Sequence, residues 1–179
     1  MPVFVLNEKV VYPGHGVARV NRIIEKKIAG TTARFFELVF LHKDMTILVP
    51  INNLTSVGIR RLTSGKSINE LMEQLSEISI PPKLPESLVS NWNKRSKEYQ
   101  GKLRTGNIQE ICKIYKDLRS IEKKKELSFG EKNLLQQTEA LLVEEIALVK
   151  QVEEEKAVEQ LRSLVCSLPP KTVSSVRTT

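Results

Sequence analysis

Residues 34–41 read RFFELVFL, a run in which apolar side chains follow one another with only Arg34 and Glu37 between them. Such a short and nearly continuous apolar run is typical of a strand that is covered on both faces or that bends around a small barrel. Similar runs surround it, and we predict strands near residues 9–12, 17–25, 34–41, 45–49 and 57–60. Five short strands at the start of the chain indicate an SH3-like or Tudor-like barrel.

The turns between these strands can be recognised from their glycines and proline. Residues 13–16 read PGHG, which supplies one fixed φ and two residues that can adopt positive φ, and Gly30 interrupts the next hairpin. We expect His15 to be a turn residue and His42 to lie in the following hairpin, because neither has a second histidine nearby that could share a metal.

After Leu62 the apolar spacing changes to that of helices, and polar caps separate the segments. We predict that Ser67 to Glu70 form a capping box for the first helix and that prolines between residues 81 and 85 form a stiff linker. A second helix is expected from about Ser87 to Arg104, ending at Gly106.

Two further helices complete the predicted helical part. Asn107 is expected to cap the first of them, and the capping box Ser128 to Glu131 opens a long helix whose acidic end, residues 153–155, should project into water. The fold class is therefore α+β, with a small barrel in residues 1–62, an all-α domain in residues 63–165 and a disordered tail in residues 166–179.

The chain offers few groups for catalysis. It has two histidines and two cysteines, and it lacks the glycine-rich, GxSxG and HExxH motifs of common enzyme classes. Cys112 lies on an apolar helical stripe and should be a core thiol. We expect a binding protein with no cofactor or metal, and the absence of a signal-like or membrane-spanning run predicts a cytoplasmic chain.

The positive charge is concentrated in one place. Residues 91–106 carry five lysines and arginines against a single acid, Glu98, whereas residues 131–179 have more acids than bases. Such a local excess of cations is a candidate footprint for the phosphates of a nucleic acid.

Trp92, the one tryptophan of the chain, stands at the start of this basic segment. It shares a helical face with Tyr99 and Leu103, so packing in the core is the interpretation that the residues alone favour. The alternative is an exposed indole that wedges at a base step or stacks on an unpaired base. Lys94 and Lys97 lie on the opposite side of the helix and must be exposed to water or contact phosphate, with Arg95 and Lys102 on the flank.

Four motifs in the same order and spacing resemble the CarD-like transcription regulators, including the shorter homologues called CdnL. They are VVYPGHGV (10–17), DMTILVP (44–50), NWNKR (91–95) and LSFGEK (127–132), and the resemblance runs from about residue 4 to about residue 149. It implies a Tudor-like domain, shared with transcription-repair coupling factors, that binds the RNA polymerase β subunit by adding an edge strand. The matching positions are Lys26, Ile28 and Leu48.

The same resemblance implies that the helical domain contacts promoter DNA at the upstream edge of the transcription bubble. There Trp92 would wedge into the minor groove, while basic residues contact the backbone, at the matching positions Lys94, Arg95, Lys97 and Lys132. It thereby favours a functional Trp92, and with it a chain that stabilises the open promoter complex and joins the nucleoid through polymerase.

The competing hypothesis is a Tudor-like or KOW-like adaptor that joins two proteins without touching nucleic acid. Its basic helix would then bind an acidic protein. We expect a monomer in either case, because no long heptad seam is present.

Overall fold

The computed structural model describes residues 4–77 and 91–166, apart from the side chain of Cys166. The predicted proline linker, the start of the second predicted helix at residues 87–90 and the predicted tail from residue 167 onward lie outside the described residues. Within them, the chain forms a sheet followed by helices, as expected for an α+β protein.

The N-terminal part is a five-stranded antiparallel sheet of order β4-β3-β2-β1-β5. Its strands are β1 (Lys9–Tyr12), β2 (Gly16–Ile28), β3 (Thr31–Phe40), β4 (Thr46–Pro50) and β5 (Arg60–Arg61). The long β2–β3 pair carries a bulge between Val20 and Arg22, where the bulged strand bends. One apolar cluster fills the inside of the sheet and includes the side chains of Phe4, Val10, Val20, Phe36, Leu38, Phe40 and Val49.

Among the described residues, the C-terminal part packs five helices around a second apolar cluster. One of them belongs to the connection after the sheet, and the other four are longer. After the single turn α1 (Leu54–Val57), they are α2 (Gly65–Ser76), α3 (Trp92–Thr105), α4 (Ile108–Glu122), α5 (Phe129–Lys150) and α6 (Glu154–Cys166). The predicted caps Asn107 and Ser128 are confirmed, and Gly106 ends α3 in the left-handed conformation. Cys112 is buried in this cluster, which confirms its assignment to the core.

Three predicted boundaries are wrong. Residues 57–60 do not form a strand, because Gly58 at φ 81° closes the α1 turn and leaves only Arg60 and Arg61 to pair with β1. Ser64, rather than Ser67, caps α2, since its hydroxyl accepts the Ser67 N–H at 3.2 Å. The acidic run is not the end of the long helix, which stops where Gln151 takes φ 56°.

That acidic run instead opens α6. Glu154 and Glu155 lie in its first turn, where carboxylates interact favourably with the partial positive charge of a helix N-terminus. Among the described residues no helix is long and apolar enough to cross a membrane.

The buried carboxylate of Glu145 joins the two parts of the chain. Glu145 of α5 is 3% exposed and accepts two hydrogen bonds of 2.8 Å from the guanidinium of Arg60. The backbone N–H and the hydroxyl of Thr63 donate to the same carboxylate, and Arg60 also donates to the carbonyl of Gly106. The β5 end of the sheet is thereby fixed against α5 and against the C-terminus of α3.

The PGHG turn is the second contact between the parts. A Cβ on Gly106 would lie 3.1 Å from Cγ of Pro13, and a Cβ on Gly16 would collide with the carboxylate of Glu144. That carboxylate accepts the Val17 N–H at 3.0 Å. The two glycines therefore allow the turn and the helices to approach more closely than any side chain would permit.

Replacing Glu145 with glutamine should cost about 3 kcal/mol of unfolding free energy at neutral pH, because it leaves Arg60 without its buried counter-charge. Burial alone would raise the pKa of Glu145, but the hydrogen bonds and charge of Arg60, together with Thr63, hold it below its ordinary value of 4.5. The stabilisation is therefore complete above that pH and is lost as the pH falls through the lower folded-state value.

Denaturant unfolding of the wild type and of Glu145→Gln across this pH range measures the effect, and the difference between them should shrink in acid. Glu126→Gln is the control, since the Glu126 side chain is 88% exposed. A pH-independent difference would contradict the assignment of the charge to this clamp.

Candidate functional site

Trp92 is the first residue of α3 and lies half-buried at the edge of the helical cluster. The side chain of Asn91 caps the helix by accepting the Lys94 N–H at 3.4 Å. Tyr99 and Leu103 of the same face are buried, as the apolar stripe predicted. Trp92 thus continues that stripe while part of its surface remains open to solvent, which leaves both sequence interpretations partly satisfied.

Arg95 does not lie on the solvent flank, and this expectation was wrong. It is 5% exposed, its guanidinium lies 5.5 Å from the centre of the Trp92 ring, and its Nη2 donates to Glu131 at 2.5 Å. Arg95 is about one helical turn from both Trp92 and Tyr99, so it lies on the same face as these two rings. The buried carboxylate of Glu131 then holds its guanidinium beside the indole.

The sequence predicts only part of the role of Glu131. It was recognised as part of a capping box, and the structure confirms the box: Ser128 N–H donates to its carboxylate at 2.9 Å and Ser128 Oγ accepts the Glu131 N–H at 3.3 Å. Its pairing with Arg95, 36 positions earlier, has no signal in the sequence.

The charge of Glu131 is maintained by its surroundings. Burial by itself would raise the pKa of this carboxyl group, but the N–H and hydroxyl of Ser128 and the ammonium of Lys125 bring it below the ordinary value. Glu131 is thus ionised at neutral pH, so the buried Arg95 guanidinium faces a full negative charge.

We call Trp92, Arg95, Gly130 and Glu131 the tryptophan platform. A Cβ on Gly130 would lie 3.0 Å from Cζ2 and 3.1 Å from Nε1 of Trp92, so the edge of the indole rests against the N-terminal turn of α5. The platform therefore joins the starts of two helices, α3 and α5, around one aromatic ring.

Exposed cations lie on the same two helices as the platform. Lys94 and Lys97 are exposed on α3, and Lys132 of α5 is exposed with only the 88% exposed Glu126 as a partner, at 3.1 Å. Such a surface pair contributes little and can exchange for a phosphate. Lys102 is less available to a phosphate, because Glu98 and Glu110 both approach its ammonium within 3.6 Å.

Phe129 is an exposed aromatic residue that the sequence analysis did not select. It is the first residue of α5, directly before Gly130, and is 81% exposed. An apolar residue inside a capping box, off the buried face of the helix, is the pattern that could have identified it. It places a second aromatic side chain one residue away from the contact between Gly130 and the indole.

The candidate polymerase-binding residues all lie on the sheet but in two places. Leu48 is half-buried on β4, an edge strand that pairs with β3. Lys26 is exposed and Ile28 is 54% exposed, both at the far end of β2, which the pairing with β1 does not reach. The structure therefore brings Lys26 and Ile28 together and leaves Leu48 on a neighbouring part of the sheet.

Two family models match separate parts of this chain. Residues 4–63 match the model of the CarD-like/TRCF RID domain, and residues 83–162 match that of the CarD C-terminal domain. A Bacillus subtilis (strain 168) protein named "Putative transcription factor YdeB" is 26% identical over 154 residues, which are 86% of this chain and 97% of that protein.

A solved structure is also similar over part of the chain. It is the solution NMR structure of the 72-residue N-terminal domain of Myxococcus xanthus CarD, 29% identical, covering 32% of this chain and 77% of that one with a TM-score of 0.29.

Truncating Phe129 to alanine should leave the unfolding free energy within about 0.5 kcal/mol of the wild type, as is usual for an exposed side chain. Leu127→Ala, two residues earlier, is the matched comparison. Leu127 is 4% exposed, and its truncation should cost about 2–5 kcal/mol through lost burial and a cavity. Chemical denaturation measures both, and equal losses would mean that Phe129 serves the core.

Proposed function

Because this chain belongs to the CarD family, with an N-terminal RNA-polymerase-interacting domain and a CarD C-terminal domain, we propose that it bridges RNA polymerase and promoter DNA during initiation. In this proposal the sheet binds the polymerase β subunit, and the tryptophan platform contacts DNA at the upstream edge of the bubble. In this proposal the chain acts by binding, with no catalytic step, and it is located with RNA polymerase in the cytoplasm at the nucleoid.

The shape of the sheet supports the polymerase contact. Of its two edges, β5 lies beside the helical domain, to which Arg60 is bound. The other edge strand, β4, lies at the opposite end of the strand order. An open edge of this kind is what strand addition requires, and Leu48 lies on it.

The half-buried indole, on helices that also carry exposed cations, is the observation that carries the DNA contact. Lys94, Lys97 and Lys132 can neutralise phosphates, which fixes a protein on the duplex without reading its sequence. Trp92, with Phe129 nearby, provides flat apolar surface for a base step or an unpaired base. We therefore expect little sequence preference, and we infer that binding to polymerase brings the protein to the promoter.

Binding of this kind acts on the equilibrium between closed and open promoter complexes. A protein shifts that equilibrium only by its differential affinity for the two states. A wedge that contacts only the open form and contributes about 1.4 kcal/mol changes the open-to-closed ratio tenfold. This modest magnitude is within the range of one stacked aromatic ring.

Ile28→Glu should weaken binding to isolated RNA polymerase by about tenfold or more, the effect of truncating or charging an interface hot spot. Ile23→Glu is the matched control, because Ile23 lies on the same strand with 49% exposure against 54% for Ile28 and is not among the matching positions. Titration of labelled protein with polymerase gives both affinities. If the two variants lose affinity equally, the contact does not lie at the end of β2.

Trp92→Ala should remove most of the increase in open-complex lifetime that the wild type gives, at least about fivefold for a lost stacking contact. Competitor-challenged dissociation on one promoter with the cognate polymerase measures it, and Trp92→Phe, which keeps a flat ring, should retain part of the effect. If wild type and Trp92→Ala both bind polymerase but neither alters the lifetime, the protein-protein adaptor is the better description.

A further inference from the structure

We propose that Arg95 and Glu131 are positioning residues that hold the indole of Trp92 at a fixed angle for DNA, and that Arg95 does not itself bind phosphate. The role in DNA binding rests on the function proposed above. The positioning is a property of the free protein and can be tested separately.

The indole is held from two sides. Arg95 lies 5.5 Å from the ring centre, and the backbone of Gly130 lies against the ring edge at Cζ2 and Nε1. Neither contact is fixed by α3 alone. Arg95 is held by Glu131, and Gly130 is the residue before Glu131 in α5. Glu131 in turn is fixed by Ser128, whose N–H and hydroxyl are part of the helix cap. The orientation of the ring is thus set by the start of a different helix.

Burial argues against a phosphate contact by Arg95. Its side chain is 5% exposed and that of Glu131 is 1% exposed, so a phosphate that reached this guanidinium would have to displace a buried carboxylate. The displaced Glu131 would remain within the site as a negative charge beside DNA. Exchanging this pair for a phosphate contact is therefore costly, whereas Lys94 and Lys97 are exposed and can reach phosphate without rearrangement.

The benefit of such a hold is pre-organisation. A tryptophan side chain that rotates freely loses that freedom when it inserts between bases, and the lost entropy weakens binding. A ring that is already fixed avoids this cost, and it can also not turn inward to complete the core. The buried ion pair thus converts a partly core tryptophan into one with a constant exposed edge.

The test removes the pair as a unit. Removing one partner would leave a buried charge, whereas removing both together is often tolerated. The variant is Arg95→Met with Glu131→Gln, in which methionine keeps the unbranched stem and glutamine keeps the capping-box pattern. The matched control is Arg119→Met with Glu139→Gln, since Arg119 lies 5.3 Å from the ring of Tyr115 and pairs with Glu139 at 2.6 Å in the same domain.

The first readout is the fluorescence of Trp92, which reports on this site alone because the chain has no other tryptophan. In the free, folded protein the platform variant should show lower emission anisotropy and stronger acrylamide quenching than the wild type. The control variant should match the wild type. Far-UV circular dichroism establishes that both are folded, and if the double variant unfolds, Arg95→Lys, which keeps the charge but not the planar fork, replaces it.

The second readout is open-complex lifetime with polymerase and promoter. The platform variant should lose about two- to fivefold of the lifetime, the range expected for one cation–π contact, and the control variant none. The salt dependence of affinity for the open complex, relative to that for polymerase alone, separates positioning from phosphate binding. Lys94→Met should lower that slope by about 0.9, and the platform variant should leave it unchanged.

Two results would overturn the proposal. One is an unchanged Trp92 signal in the folded platform variant, since the pair then holds nothing. The other is a fall in the salt slope equal to that of Lys94→Met, since Arg95 is then a phosphate ligand. A Trp92→Ala variant that leaves the lifetime unchanged would remove the proposed function instead, while the fluorescence comparison would still decide whether Arg95 and Glu131 position the ring.

Discussion

The carboxylate of Glu145 is the constraint on which the arrangement of this protein depends. It is 3% exposed and accepts hydrogen bonds from Arg60 of the sheet and from Thr63, which lies between the sheet and the first helix of the helical part. A buried charge of this kind is tolerated only while its partners stay in place, so it resists any sliding of one domain over the other. Pro13, seated against Gly58 and Gly106, adds a steric stop at the same junction.

A fixed junction matters if the chain binds RNA polymerase and DNA at once, as proposed. In the proposed function one domain is attached to polymerase, and the other would then meet DNA at an effective concentration set by the stiffness and geometry between them. A rigid connection of suitable geometry raises that concentration, so weak contacts by Trp92 and a few lysines can be sufficient. The clamp at Glu145 is thus part of the proposed mechanism as well as of the fold.

A buried glutamate near each end of α5 holds the helix to another part of the chain. Glu145 ties the helix to the sheet, while Glu131 ties its first turn to Arg95 beneath Trp92. Both keep a lowered pKa because hydrogen-bond donors surround them. One helix therefore places the ring of Trp92 with respect to the sheet, and in the proposed function the exposed lysines are the part of the charge that is available to phosphate.

The sequence by itself determined what depends on near neighbours. The first four strands, the caps Asn107 and Ser128, the ending of α3 at Gly106 and the burial of Cys112 follow from apolar period and from side chains that act within about one turn. Only the tertiary structure decided that Arg95 is buried and that the PGHG turn meets the helices. These depend on contacts such as Arg60 to Glu145, 85 positions apart, which no local pattern encodes.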